Sequence, residues 1–300
     1  MVEVLIVGSI GLDNIETPFG KKIDTLGGSA VYSSIASSFF SKTGIVGVVG
    51  TDFPERHMDL IKRKGIDTKG IEVAEGKTFR WSGKYEFDLN VAKTLKTELN
   101  VIEKFKPKIP EEYKNAEYVF LGNIDPELQL SVLEQIKKPK LVISDTMNYW
   151  IESKKEKVLE VVKAVDVALM NDSEARELFK TSNLVKAAKE ILKLDSKYAI
   201  IKKGEHGAVM FTEKSHFSVP GYPLENIKDP TGAGDSFAGA LTGYLAKTKK
   251  LSESNMRKAM VYGSIVASLE VEEIGVTNMN FINQFKIKER FEEFREFMKF

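Results

Sequence analysis

Three hundred residues, 42% hydrophobic and 29% charged, describe a globular chain long enough for one large α/β domain. With 44 basic and 43 acidic residues the net charge is +1, which gives no electrostatic basis for binding nucleic acid or an acidic membrane, and the absence of cysteine excludes disulfides, zinc-thiolate sites and a thiol nucleophile. No apolar run nears the roughly 18–20 residues that span a bilayer, and the strand-like start at Val2–Val7 leaves no room for a signal peptide, so a cytoplasmic protein is expected.

In chain order, short Val/Ile-rich runs alternate with helical patterns. The runs Val4–Val7, Gly44–Val49, Tyr118–Leu121, Leu141–Ser144, Val165–Leu169 and Tyr198–Ile201 read as strands. Between them Ser29–Phe40, Glu55–Lys64, Glu127–Lys137, Ile151–Val162, Asp172–Lys180 and Val185–Leu194 read as helices. Strand followed by helix, repeated, means a mostly parallel sheet covered by helices. Phe79–Phe87 breaks the rule, being aromatic-rich and alternating with no helix beside it. It reads as a lid strand or an edge open to a second copy, so a homodimer through the lid is one expectation. Lid strands are expected near 12–24 and 77–90, within a single domain spanning 1–300. The last third adds β-structure at Ala208–Val219 and three helices, Asp235–Lys247, Glu253–Glu270 and Phe285–Phe300.

One stretch carries the chemistry: Asp229-Pro230-Thr231-Gly232-Ala233-Gly234-Asp235, running into a helix. Gly232, Ala233 and Gly234 leave bare N–H groups at the positive end of that helix, a setting that favours an anion. A carboxylate beside such a site makes sense if Asp235 takes a proton from a hydroxyl while the amides hold phosphoryl oxygens. Asp235 as an ordinary first-turn acid is the plain alternative. Motifs of other nucleotide enzymes are missing. There is no GxxxxGK[ST], no GxGxxG after the first strand, and no HRD or DFG.

The stretch resembles the C-terminal signature of the ribokinase-like (phosphofructokinase-B) family of carbohydrate and nucleoside kinases. Gly8 to Asp13, Leu26-Gly27-Gly28-Ser29-Ala30, Val48 to Asp52, Asn171 to Glu174, and Lys202 to Gly207 agree with it, so the likeness covers nearly the whole chain. It implies a ribokinase-like α/β fold with a central, mostly parallel sheet flanked by helices and a small β lid. It implies ATP with Mg²⁺ as cofactors and a small-molecule alcohol as acceptor. By resemblance Asp235 is the catalytic base and Gly232, Ala233 and Gly234 the anion hole. Asp13 binds acceptor hydroxyls, and Gly27 and Gly28 let backbone approach the acceptor. Asn171 and Glu174 serve the nucleotide phosphates and Mg²⁺ through water, and Lys202 and Gly204 lie near the nucleotide. Asp229 and Thr231 sit where some members hold K⁺, and Gly275 lies in the loop closing that region.

Plainer roles stay open for several of these: Asn171 as a helix cap with Glu174 a first-turn acid, Lys202 as a solvent-facing strand end, Asp13 and Gly275 as turn residues. Arg80 and Trp81 are candidate acceptor contacts from the lid, by charge and by stacking, and Asn123, Asp145 and Asn148 fall at strand C-terminal ends where ligands gather. Where the family's sugar and adenosine kinases usually carry Asn, four residues beyond the paired glycines, this chain has Tyr32. An aromatic cannot make the two-directional hydrogen bonds of an amide. That position departs from the sugar-kinase pattern; the acceptor is read as a sugar or polyol, with a nucleoside, stacked on Tyr32, Phe79, Trp81 or Phe87, as the alternative. A non-catalytic nucleotide-binding regulator would have no need of Asp235.

Overall fold

The computed structural model describes residues 2–299. Nine strands form the main sheet: β1 (Val4–Val7), β4 (Thr43–Gly50), β5 (Asp67–Ala74), β8 (Tyr118–Leu121), β9 (Leu141–Ser144), β10 (Val167–Asn171), β11 (Tyr198–Lys202), β12 (Ala208–Phe211) and β13 (His216–Val219). Their order is β13-β12-β11-β10-β9-β8-β1-β4-β5, parallel throughout except for β12 and β13 at one edge. Successive residues of each central strand serve opposite cores. Val4 and Ile6 point with Tyr118, Phe120 and Ile143 toward α1 (Ser29–Ser38), α8 (Ala233–Thr248) and α9 (Glu253–Glu270). Leu5 and Val7 point with Val119 and Leu121 toward α3 (Pro126–Leu133), α5 (Lys155–Ala164) and α7 (Leu184–Leu192). Burial on both faces is why these strands are continuous apolar runs rather than alternating ones.

The lid is a second sheet of order β3-β2-β6-β7, made of β2 (Gly11–Thr17), β3 (Gly20–Gly27), β6 (Phe79–Tyr85) and β7 (Ala92–Glu98). β2 pairs in parallel with β6, and Asp13 lies opposite Trp81 while Leu12 lies opposite Arg80.

The parallel core follows the expected elements to within two residues, except that α3 ends at Leu133, four residues short of the expected Lys137, with α2 (Glu55–Arg63) and α6 (Asp172–Phe179) in their expected places. Two strands went unforeseen. β5 and β7 carry polar or exposed residues on most positions, so no apolar period marks them. The single helix expected over Ile151–Val162 is two, α4 (Asn148–Ser153) and α5. They part at Lys154, whose backbone is non-helical and whose ammonium is held by Asp125 at 2.7 Å and Glu127 at 2.8 Å. The C-terminal helix is α10 (Gln284–Phe297), and Phe300, the expected end, lies outside the described residues. No helix among the described residues is long and apolar enough to cross a membrane.

Candidate active site

All the parallel strands end on one side, and the candidate residues collect there. Asp145 follows β9, Asn171 ends β10, Lys202 ends β11, and the loop into α8 crosses in front of them. The loop is shaped by contact. Gly232 has φ +86°, and a Cβ there would lie 2.3 Å from the Tyr32 ring, so a bare residue of left-handed conformation is required. The Ala233 amide donates to the Pro230 carbonyl at 3.2 Å, and the Ser236 amide to Gly232 at 2.8 Å. The amides of Gly234 and Asp235, in the first turn of α8, have no acceptor among the described residues. They face the cleft at the positive end of a sixteen-residue helix.

Asp235 is half-buried there. Burial, reinforced by the Asp145 charge and opposed by Lys202, pushes its carboxyl up to about 7. Asp13 approaches from the lid. It is buried, accepts from the Gly28 amide, and is raised to about 8 by burial and then by Asp229 and Asp235. The Asp235 charge acts on Asp13 although one residue rides on the lid and the other on the main domain. Gly27 makes room for this, since a Cβ on it would fall 1.8 Å from Asp13 Oδ2. Gly28, at φ +97°, would clash with the Ser9 carbonyl at 2.4 Å if it carried a side chain.

On the opposite side of the cleft the charges are matched. Lys202 forms an ion pair with the buried Asp145, and a Cβ on Gly234 would lie 3.0 Å from Lys202 Nζ. Lys202 is therefore not solvent-facing. Burial works against its charge, but Asp145 and Glu174 outweigh that and raise its pKa. Asn171 caps α6, its Oδ1 accepting from the Glu174 amide at 2.8 Å. Glu174 returns the favour, accepting from the Asn171 amide at 2.6 Å and from Nδ2 at 2.7 Å. Burial raises Glu174 to about 8 against the pull of Lys202. With both oxygens so engaged, Glu174 suits a water-mediated cation better than a direct one. Among the described residues no group of three or more acids or histidines forms a direct metal cage. Gly204 follows Lys202 in a tight turn at φ +54°.

Asp229 staples the loop down. Its Oδ1 accepts from the Thr231 amide at 2.9 Å and its Oδ2 from the Gly275 amide at 2.8 Å. Thr231 Oγ1 donates to the Tyr85 hydroxyl at 3.1 Å, joining lid to loop. Asp229 and Thr231 thus stand together with Gly275.

Other candidates are placed elsewhere. Arg80 shares the face of Leu12, opposite to Asp13, and its guanidinium is taken by Asp24 and by Asp52 at 3.1 Å. Trp81 by the same register shares the face of Asp13, with its ring over Gly83 and its Nε1 donating to Thr94 Oγ1 at 3.2 Å. Tyr32 is buried beneath Gly232 and offers no stacking face, and Phe87 is 96% exposed at the end of the lid. Asn123 lies beside the start of α1, its carbonyl accepting from Ser29 Oγ and its Oδ1 from Trp150 Nε1. Asn148 pairs with Glu177, away from this cluster.

Two features have no signal in the sequence. The Asp145–Lys202 pair joins residues 57 apart. Below Gly232 the Tyr32 hydroxyl and both Glu270 oxygens are fully buried with no hydrogen-bond partner among the described residues. Burial, together with the neighbouring Asp229 and Asp235, holds the Glu270 carboxyl far above the usual carboxylate range.

A family model for the pfkB family of carbohydrate kinases matches residues 24–282. The chain is 29% identical over 259 residues to the cytidine kinase of Thermococcus kodakarensis, covering 84% of this chain and 92% of that protein. It is 26% identical over 277 residues to the ribokinase of Lactococcus lactis, covering 87% and 89%. The crystal structure of Methanocaldococcus jannaschii nucleoside kinase superposes with a TM-score of 0.78 at 21% identity, over 97% of this chain and 99% of that one, which establishes the fold.

Proposed function

The chain belongs to the pfkB family of carbohydrate kinases, and on that premise we propose that it transfers the terminal phosphoryl group of ATP to an alcohol of a small sugar, polyol or nucleoside in the cytoplasm. The observation that carries this reading is the meeting of Asp235, raised to about 7, with the open amides of Gly234 and Asp235 and with Asp13 across the cleft. Near pH 7 a carboxyl with that pKa is a competent general base. Asp235 takes the proton of the acceptor hydroxyl, and the Gly232–Gly234 loop holds phosphoryl oxygens as negative charge builds. Bound ATP with Mg²⁺ supplies the electrophilic phosphorus and part of the charge neutralisation. Asn171 and Glu174 are suited to hold the metal through water, Lys202 and Gly204 to flank the nucleotide, and Asp229, Thr231 and Gly275 to take a K⁺.

Asp13, with Gly27 and Gly28 behind it, binds acceptor hydroxyls. A buried carboxyl beside a backbone amide suits a vicinal diol, which sugars, polyols and the ribose of a nucleoside all present. The likeness to a cytidine kinase supports including nucleosides. Arg80 serves as a lid latch in this reading, and Asn123 lies near enough to α1 to border the acceptor. Ile23 and Leu95, exposed on the lid strands, offer a surface for a second copy, which sedimentation would detect as a dimer lost in Ile23→Lys.

The test is Asp235→Asn assayed for ADP release against ribose, fructose, cytidine and inosine. Turnover should fall by about 10²–10⁴ with ATP binding retained. Wild-type turnover in that variant would sink the mechanism, and the acceptor with the highest kcat/KM would name the substrate class.

A further inference from the structure

Asp145 is among the most constrained acids in the molecule. Its Oδ1 accepts from the Thr146 amide at 3.0 Å and its Oδ2 from Lys202. Its backbone is fixed as well, the carbonyl accepting from the buried Gln129 side chain at 2.9 Å. A carboxylate locked in this way cannot follow a substrate, but it can dictate where an ammonium stands. Lys202 Nζ stands against Gly234, whose amide opens onto the cleft, and within electrostatic reach of Asp235. The groups facing Lys202 are Asp145 from the end of β9, Glu174 from α6 and Asp235 from α8. All are acids, and only Asp145 makes a direct bond to it.

We propose that Asp145 is a positioning residue for phosphoryl transfer, holding the Lys202 ammonium at the mouth of α8 so that it neutralises the phosphoryl group as it moves. The inference rests on the kinase reading and goes beyond it in giving Asp145 a task and Lys202 a place at the transferred group. A fixed cation needs no reorganisation as charge develops, which is where electrostatic catalysis gains most. A lysine tied to a rigid acid also avoids the entropy of a free four-carbon side chain.

The experiment compares Lys202→Met, Lys202→Arg, Asp145→Asn and the double variant Asp145→Asn/Lys202→Met. Loss of Lys202 should lower kcat by about 10²–10³, with the acceptor KM little changed and partial rescue in Lys202→Arg. Asp145→Asn should cost about 10–100-fold. The double variant should be no worse than Lys202→Met alone, because Asp145 reaches the phosphoryl group through that ammonium, while its direct effect on Asp235 is read separately as a shift in the acid limb of the pH profile. If the pair were merely structural, removing both charges would relieve the buried lysine left by Asp145→Asn and return kcat toward wild type. That recovery would overturn the proposal, and the double variant supplies the answer even if Asp145→Asn folds poorly.

Equilibrium ATP affinity, which needs no acceptor, adds a pH readout. It should stay level to about pH 9.5 in the wild type and weaken at lower pH in Asp145→Asn, where a buried lysine without its acid sheds its proton early. Level profiles in both proteins would overturn the inference alone. A wild-type chain that binds no ATP would overturn the kinase reading and the inference together.

Discussion

The two sides of the cleft handle charge in opposite ways. Along the ends of β9 to β11 each acid has its partner: Asp145 has Lys202, and Glu174 has the Asn171 amides. Under the α8 loop the acids Asp13, Asp229 and Glu270 gather with Tyr32 and Tyr85; Asp229 is held by the amides of Thr231 and Gly275, and Glu270 has no hydrogen-bond partner among the described residues. A side built to receive a polyanion has its own negative charge cancelled in advance. On the other side burial pushes each acid toward its protonated form.

Beyond Asp235→Asn, the strongest way to break this contrast is Asp13→Asn. Leaving a buried hydroxyl without its partner costs about 1–3 kcal/mol, so kcat/KM for the acceptor should fall about 10–100-fold while the KM for ATP holds steady. An equal rise in both KM values would show that the two sides are not separate. Next comes Gly232→Ala. Left-handed strain adds to contact with the Tyr32 ring, and thermal unfolding should report a loss of about 2–4 kcal/mol, partly restored by Tyr32→Leu. If Gly232→Ala melts with the wild type, the loop does not rest on Tyr32 as described.

A smaller effect, of opposite sign, is expected at Glu270. Glu270→Gln removes an acid that has no partner, and it should stabilise the protein by about 1–3 kcal/mol at pH 8 and by less at pH 5. The sign follows from linkage. Asp13 and Glu174, at about 8, and Glu270, raised further, hold protons in the folded chain that the unfolded chain releases near pH 4. Their contribution is complete below that pH and is lost as pH rises through the folded values, so Tm should decline from pH 5 to 9, and more gently in Glu270→Gln. Activity should run the other way. Asp235 must be ionised to accept a proton, so kcat/KM should climb up to about pH 7 and level off above it.

The same contrast explains what could be read beforehand. The parallel core was legible because Val4–Val7 and Tyr118–Leu121 are buried on both faces and leave an unbroken apolar record. The Gly232–Asp235 loop was legible because bare backbone beside an acid is local in sequence. β7, exposed along nearly its whole length, writes no period, and so the expected lid, near 12–24 and 77–90, stops short of it. Arg80 looked like a ligand because charge in a lid suggests one. The parity of its strand instead turns it away from Asp13, toward Asp24 and Asp52. Tyr32 looked like a stacking ring until the fold brought Gly232 onto it. Partners distant along the chain, as in Asp145 with Lys202, follow from topology rather than from any local pattern.

The hydroxyl contact between Tyr85 and Thr231 couples a hinge to a reaction. Tyr85 belongs to the sheet that carries Asp13, and Thr231 to the turn that aims Gly234 and Asp235. Were the lid to shift as an alcohol entered or left, the turn that carries Gly234 and Asp235 would be pulled through this bond, so a half-open lid would leave that turn misaligned. Idle turnover against water would then be suppressed by mechanics rather than by a barrier at the phosphorus, and Tyr85→Phe should release it as a raised rate of ATP hydrolysis in the absence of acceptor.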